Sequence, residues 1–88
     1  MSREIKFTKT ALNDLEFWKR NNNKTILKIK ELLIDIDNNH PLGIGKTEKL
    51  KGFEDIYSRR INNKDRLVYS VYETYIIVYQ CKGHYNDK

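Results

Sequence analysis

Three strand-like runs crowd the C-terminal third of this 88-residue chain and leave almost no slack between them: Ile56–Ile61 (IYSRRI), Arg66–Tyr72 (RLVYSVY) and Tyr75–Cys81 (YIIVYQC). Asn62-Asn63-Lys64-Asp65 separates the first two, and Glu73-Thr74 the last two. Connections this short can only join antiparallel neighbours, because a parallel crossover needs a dozen residues or more. Upstream, Glu4–Phe7 alternates polar and apolar residues and reads as a short first strand. Thr8 can cap a following helix, on which Ala11, Leu15 and Trp18 fall at i, i+4 and i+7 with Leu12 beside them. Asn21-Asn22-Asn23 breaks that helix, since asparagines favour turns over helix interiors. A second helix is expected from about Lys24 to Asn38, with Ile26, Ile29, Leu33 and Ile36 as its apolar stripe and Leu32 adjoining. Pro41 ends it, and Leu42–Lys46, with glycines at 43 and 45, reads as a mobile connection. The expected fold is α+β in the order β-α-α-β-β-β, an antiparallel sheet with a two-helix hairpin packed on one face.

A chain of this length makes one domain, residues 1–88, with a modest core. Hydrophobic content of 39% beside 33% charged residues places it among globular rather than disordered chains. The start, Met1-Ser2-Arg3-Glu4, does not lead into a secretory apolar run, and no run approaches a membrane span, so a cytoplasmic location is expected. The single Cys81 has no disulfide partner, and one cysteine with two histidines is a poor zinc set. Within an apolar strand it reads as a small core residue. The net charge of +5 is spread along the chain; it is compatible with nucleic acid or an acidic protein partner and demonstrates neither.

Symmetry about the two turns sets Arg60 opposite Arg66, and Arg66 opposite Cys81, with His84 just past that strand end. Arg60, Arg66 and His84 therefore gather at one end of the sheet. Directly opposed like charges destabilise a sheet. Either an anion belongs between the arginines, whose planar forks suit phosphate, or the side chains diverge into water and pair with Asp65 or Glu54. His84 titrates in the range useful for proton transfer, although a histidine near a terminus is also commonly just solvated. Glu48 sits among Lys46, Lys49 and Lys51. Those cations make it a weaker base unless they turn toward substrate phosphates. His40, at a helix end, reads as structural, its imidazolium favoured by the dipole. Tyr57, Tyr69 and Tyr79 can be core or base-stacking platforms, and sharing a face with Leu67 and Val71 favours core for Tyr69.

Gly45-Lys46-x-Glu48-x-Leu50-Lys51, Tyr57-Ser58-Arg59-Arg60-Ile61, Arg66-Leu67-Val68-Tyr69 and Cys81-Lys82-x-His84-Tyr85 follow one another in order, with Phe17-Trp18 upstream. Together they resemble the YoeB/Txe toxins, a branch of the RelE/ParE superfamily with a microbial-RNase-like fold. The resemblance implies the toxin of a type II toxin–antitoxin module, an endoribonuclease that cuts mRNA in the ribosomal A site and stops translation. It implies Glu48 as general base, Arg66 as stabiliser of the transition-state phosphate, His84 as general acid and Tyr85 as an active-site tyrosine. Lys51 and Arg60 match basic positions near the substrate phosphates, and Lys46, Lys49 and Arg59 complete the expected substrate-binding set. No cofactor or metal is required, because RNA supplies its own nucleophile, the 2′-hydroxyl. The implied partners are a YefM/Axe-like antitoxin, the ribosome and mRNA, a second copy in a homodimer, and operator DNA only through the antitoxin complex, with no membrane. Gly83 stands where the family usually has an aromatic residue, a change expected to loosen the hold on His84. Asn86-Asp87-Lys88 extends past the usual end, and Gly52–Asp55 is about one residue shorter. The competing readings are a ParE-like inhibitor of DNA gyrase and a non-catalytic module that only binds antitoxin or RNA.

Overall fold

A computed structural model describes residues 2–83. The elements are β1 Glu4–Phe7, α1 Lys9–Asn21, α2 Asn23–Asn39, β2 Glu48–Lys49, β3 Tyr57–Arg60, β4 Arg66–Val71 and β5 Tyr75–Gln80. They form a five-stranded sheet in the order β1-β5-β4-β3-β2. The α+β class and the helical hairpin are as the sequence implies. The sheet, however, is mixed: β1 runs parallel to β5, with Ile5 beside Ile76 and Phe7 beside Val78. Only the three C-terminal strands have the short connections that dictate direction. Strand β2, two residues in a lysine-rich stretch, has no apolar alternation to announce it.

Thr8 caps α1 as expected: its Oγ1 accepts from the Ala11 N–H at 3.1 Å and donates to the Tyr79 carbonyl at 2.7 Å. Asn22 separates the helices, and its N–H closes α1 on the Trp18 carbonyl at 2.8 Å. Lys19 and Arg20 in the last turn of α1 favour that end of the dipole. His40 follows α2 with ψ 136°, the extended backbone demanded of a residue before proline. The hairpin lays Ala11, Trp18, Ile29, Leu32, Leu33 and Ile36 on Leu67, Tyr69, Ile76, Val78 and Cys81. Full burial of each such aliphatic side chain stabilises the fold by about 1.5–3 kcal/mol. Val68 and Leu50 are buried outside that cluster.

Strand register assigns faces, because directly paired residues share one. Tyr57 pairs with Tyr69 and Arg59 with Leu67 on the helix side. Ser58 pairs with Val68, and Arg60 with Arg66, on the other. The β3–β4 pairing agrees residue for residue with turn symmetry. The β4–β5 pairing agrees only as far as Tyr69 with Val78, and the next pair is Val68 with Gln80. Tyr79 is thus the extra residue of a bulge. Beyond it the chain is shifted by one, so the Arg66 N–H bonds the Gly83 carbonyl at 3.0 Å, and Arg66 does not lie squarely opposite Cys81.

Candidate active site

Glu48 pairs with Ser58, which pairs with Val68, so Glu48 shares the helix-free face with Arg60 and Arg66. Glu48 and Arg60 are exposed and Arg66 is half-buried. Neither arginine pairs with Asp65 or Glu54, and among the described residues neither has a carboxylate partner. Among the described residues the Arg66 guanidinium makes a long contact, 3.4 Å, to the Asn62 carbonyl. Two opposed arginines with no carboxylate partner among the described residues present donor geometry suited to an anion. Lys46, in the left-handed region at φ 50°, and Lys51 flank β2 at exposed positions.

Two members of the expected substrate-binding set fall elsewhere. Lys49 pairs with Tyr57 and so takes the opposite side from Glu48. Arg59 is fully buried, and each of its guanidinium nitrogens is bonded within the fold. Its Nε donates to the Tyr69 hydroxyl at 3.1 Å, Nη1 to the Ile44 carbonyl at 3.0 Å and to the Asp35 carboxylate, and Nη2 to the Leu42 carbonyl at 2.8 Å. Buried and bonded through all three guanidinium nitrogens, the residue is an internal anchor. The 42–46 connection is correspondingly pinned: Asp35 Oδ2 also accepts from the Ile44 N–H at 3.0 Å, and the Arg60 N–H bonds the Gly45 carbonyl at 2.6 Å. Gly43 shows how tightly it lies, because a Cβ there would meet Asp35 Oδ2 at 1.8 Å, at a φ of +118° that already favours glycine.

Charge inside this anchor is balanced. Burial works to raise the Asp35 carboxyl, but hydrogen bonds from Arg59, Asn39 and the Ile44 N–H, with the Arg59 charge, outweigh it and hold the group below the usual carboxylate range. Asp37 is held low in the same way by Arg3 and the Ser2 N–H against its burial. Arg3 reaches Asp37 Oδ1 at 2.9 Å and ties the start of the chain to α2. His40 packs edge-on to Tyr57 and Tyr69, its Nδ1 3.1 Å from the Tyr69 hydroxyl. Burial, then the Arg59 and Arg3 charges, lower its pKa, so the ring is structural, as expected, but neutral rather than an imidazolium. Tyr69 is core, and burial raises its hydroxyl against the opposing pull of Arg59. Tyr79 bonds the Ser70 hydroxyl at 3.0 Å, and Ser70 donates to the Asp55 carbonyl at 2.6 Å, so the segment before β3 folds over part of the helix-free face.

His84 and Tyr85 lie outside the described residues, but the peptides leading to them are fixed from three directions. The Cys81 N–H donates to Asp14 Oδ2 at 3.0 Å, and the Cys81 carbonyl accepts from Trp18 Nε1 at 2.8 Å. The Gly83 N–H donates to Asp65 Oδ1 at 2.7 Å, and the Gly83 carbonyl accepts from the Arg66 N–H. Lys82 Nζ stands 4.6 Å from the centre of the Phe17 ring. Cys81 is buried, its thiol pushed up to about 12 by burial, then by Asp14 and Asp65, which makes it an inert core residue. Among the described residues no group of three His, Cys, Asp or Glu side chains is arranged to hold a metal. Nor, among them, is any helix long and apolar enough to cross a membrane. Asp14, Trp18 and Asp65 carried no signal as a set, since 67 residues separate Asp14 from the peptide it holds.

Comparison with known proteins identifies the family. Residues 7–85 match the family described as the YoeB-like toxin of bacterial type II toxin-antitoxin system. Toxin YoeB of Synechocystis is 38% identical over 84 residues, covering 93% of this chain and 96% of its own. The YoeB dimer from Staphylococcus aureus superposes with a TM-score of 0.92 at 44% identity, over 97% of this chain and 100% of that one. The toxin in a YoeB–YefM complex from the same organism does so at 0.86 and 45%, with the same coverage. The chain therefore belongs to the YoeB-like toxins of bacterial type II toxin–antitoxin systems.

Proposed function

We propose that this protein is a ribosome-dependent mRNA endoribonuclease. The observation that carries the reading is the meeting of Glu48, Arg60 and Arg66 on one helix-free face, beside the anchored peptide that leads into His84-Tyr85. Glu48 removes the proton from a 2′-hydroxyl, and the freed oxygen forms a bond to the adjacent phosphorus. The bond from phosphorus to the 5′-oxygen breaks, and the His84 imidazolium protonates that leaving oxygen. The products are a 2′,3′-cyclic phosphate and a 5′-hydroxyl. Arg66 stabilises the charge that builds on the phosphoryl oxygens, and Tyr85 stands beside the acid. Arg60, Lys46 and Lys51 hold the flanking phosphates. Arg59 and Lys49 have no part in this set, for the reasons of burial and facing given above. Two carriers of protons and a cation supply the steps, so the reaction needs neither cofactor nor metal.

The substrate is mRNA in the A site of the ribosome, and cleavage inhibits translation. The location is the cytoplasm, where ribosomes are. The S. aureus relative forms a complex with YefM, and a YefM-like antitoxin is the partner proposed here. That antitoxin neutralises the toxin and carries it to operator DNA as a co-repressor. The S. aureus relative also forms a dimer, which supports a homodimer for this chain.

The test is cleavage of mRNA on purified ribosomes, with product ends mapped. Glu48→Gln and His84→Gln are each expected to slow cleavage by roughly 10²–10⁴-fold with unfolding temperature unchanged. Wild-type cleavage by either variant removes that residue from its role. Gyrase supercoiling is measured in parallel. Inhibition of gyrase without mRNA cleavage would replace the nuclease reading with a ParE-like one. Toxicity equal in wild type and His84→Gln would replace it with a non-catalytic binder.

A further inference from the structure

We infer that Asp65 is a positioning residue for the proposed cleavage: its carboxylate fixes the peptide that carries His84 and so sets where the general acid stands. The inference rests on the nuclease reading above. Asp65 is only 8% exposed. Burying a carboxylate is costly unless it is bonded, and Oδ1 accepts the Gly83 N–H at 2.7 Å, a charge-assisted bond. The carbonyl of the same Gly83 accepts from the Arg66 N–H at 3.0 Å. Both polar groups of the last described residue are thus held by one dipeptide, Asp65-Arg66. That dipeptide also supplies the cation proposed to face the phosphate. It ties the acid's peptide and the transition-state cation to one rigid point, which is the relation that in-line chemistry needs kept.

Gly83 makes this grip possible. Its φ of +78° lies in the left-handed region, which glycine enters without strain. An aromatic residue at this position could grip by packing; here residue 83 is gripped through its backbone N–H and carbonyl. Upstream, Asp14 and Trp18 hold Cys81, so the segment is fixed two residues before Gly83 as well. Among the described residues Asp65 holds the last one, Gly83, which precedes His84 in the sequence. Its side chain is separable from the turn it closes. That turn is held through the Asp65 backbone, whose N–H bonds Asn62 Oδ1 at 2.8 Å and whose carbonyl accepts from the Ile61 N–H at 2.9 Å.

The experiment is ribosomal mRNA cleavage by Asp65→Ala and Asp65→Asn, each alone and combined with His84→Gln, with amide hydrogen exchange at Gly83. Asp65→Ala is expected to lower kcat by about tenfold to a hundredfold with KM for programmed ribosomes little changed, the signature of a misplaced reacting group. Its Gly83 amide should exchange faster. Asp65→Asn, which keeps a carbonyl oxygen toward Gly83, should recover most of the loss. In the His84→Gln background Asp65→Ala should cost nothing more, because the two changes then act on one step. Equal losses in both backgrounds, or a loss entirely in KM, would overturn the positioning role. So would full activity of Asp65→Ala beside an inactive His84→Gln, an outcome that leaves the nuclease reading standing. Full activity of His84→Gln removes the acid itself. In that case a faster Gly83 amide in Asp65→Ala shows a structural anchor with no catalytic task.

Discussion

Arg59 and Arg60 are neighbours on β3, of the same residue type, and they lead opposite lives. Arg59 faces the helices, is wholly buried and spends every donor nitrogen on Tyr69, Asp35, Ile44 and Leu42. Arg60 faces the helix-free side, opposite Arg66, exposed and without a carboxylate partner among the described residues. The strand's two-residue period makes the difference. On one side an arginine closes a loop onto a helix; on the other it lies exposed. Charge on this protein therefore divides by face into what holds the fold and what can meet a phosphate, and net charge alone says nothing of that division.

The sharpest way to break the comparison is to remove the buried member. Arg59→Met should destabilise the protein by about 3–5 kcal/mol, because it leaves Asp35 without its cation and the Leu42 and Ile44 carbonyls without their guanidinium donor. Denaturant unfolding measures this, and a loss under about 1 kcal/mol would show that the buried network contributes little beyond its own desolvation. A change of pH should act next. Asp35 and Asp37 have lowered pKa values, so their stabilisation is complete above the ordinary 3.8 and is lost as pH falls through the lower folded values. His40 is also lowered, from 6.5. Below that value the unfolded chain binds a proton that the half-buried ring refuses, so stability begins to decline there. Unfolding followed from about pH 8 down to about pH 3 should show a shallow fall first and a steeper one last, and a flat profile would contradict the helix-side assignment. The smallest effect belongs to the exposed member. Arg60→Ala should change stability by no more than about 0.5 kcal/mol. The same variant should weaken retention of RNA phosphates, and a weaker salt dependence of ribosome binding would register it.

Much of this was legible before any coordinates. The four-residue turn and the alternating runs fixed the β3–β4 register, and the stripes through Trp18 and Ile36 placed both helices. The signal for Arg59 was present and unused: the symmetry that sets Arg60 opposite Arg66 also sets Arg59 opposite Leu67, an apolar partner. Other features left no local trace. The direction of β1 depends on a partner 71 residues away, Tyr75 beside Glu4. The grip on the tail gathers Asp14, Trp18 and Asp65 from separate segments, and no spacing rule joins them. The 42–46 connection looked mobile because its glycines permit motion; its order comes from Asp35 and Arg59, which are distant in sequence.

The bulge at Tyr79 turns chain length into information. From the Glu73-Thr74 turn outward β5 keeps step with β4, and one surplus residue then resets the step before the tail begins. Which peptide meets Asp65 is decided by counting residues along this strand, not by their identity. Substitutions within β5 leave the count intact, whereas losing or gaining one residue offers the Asp65 carboxylate a different amide and turns the side chains beyond it to the other face. For a strand whose register decides which amide meets a buried carboxylate, length is as strict a requirement as sequence.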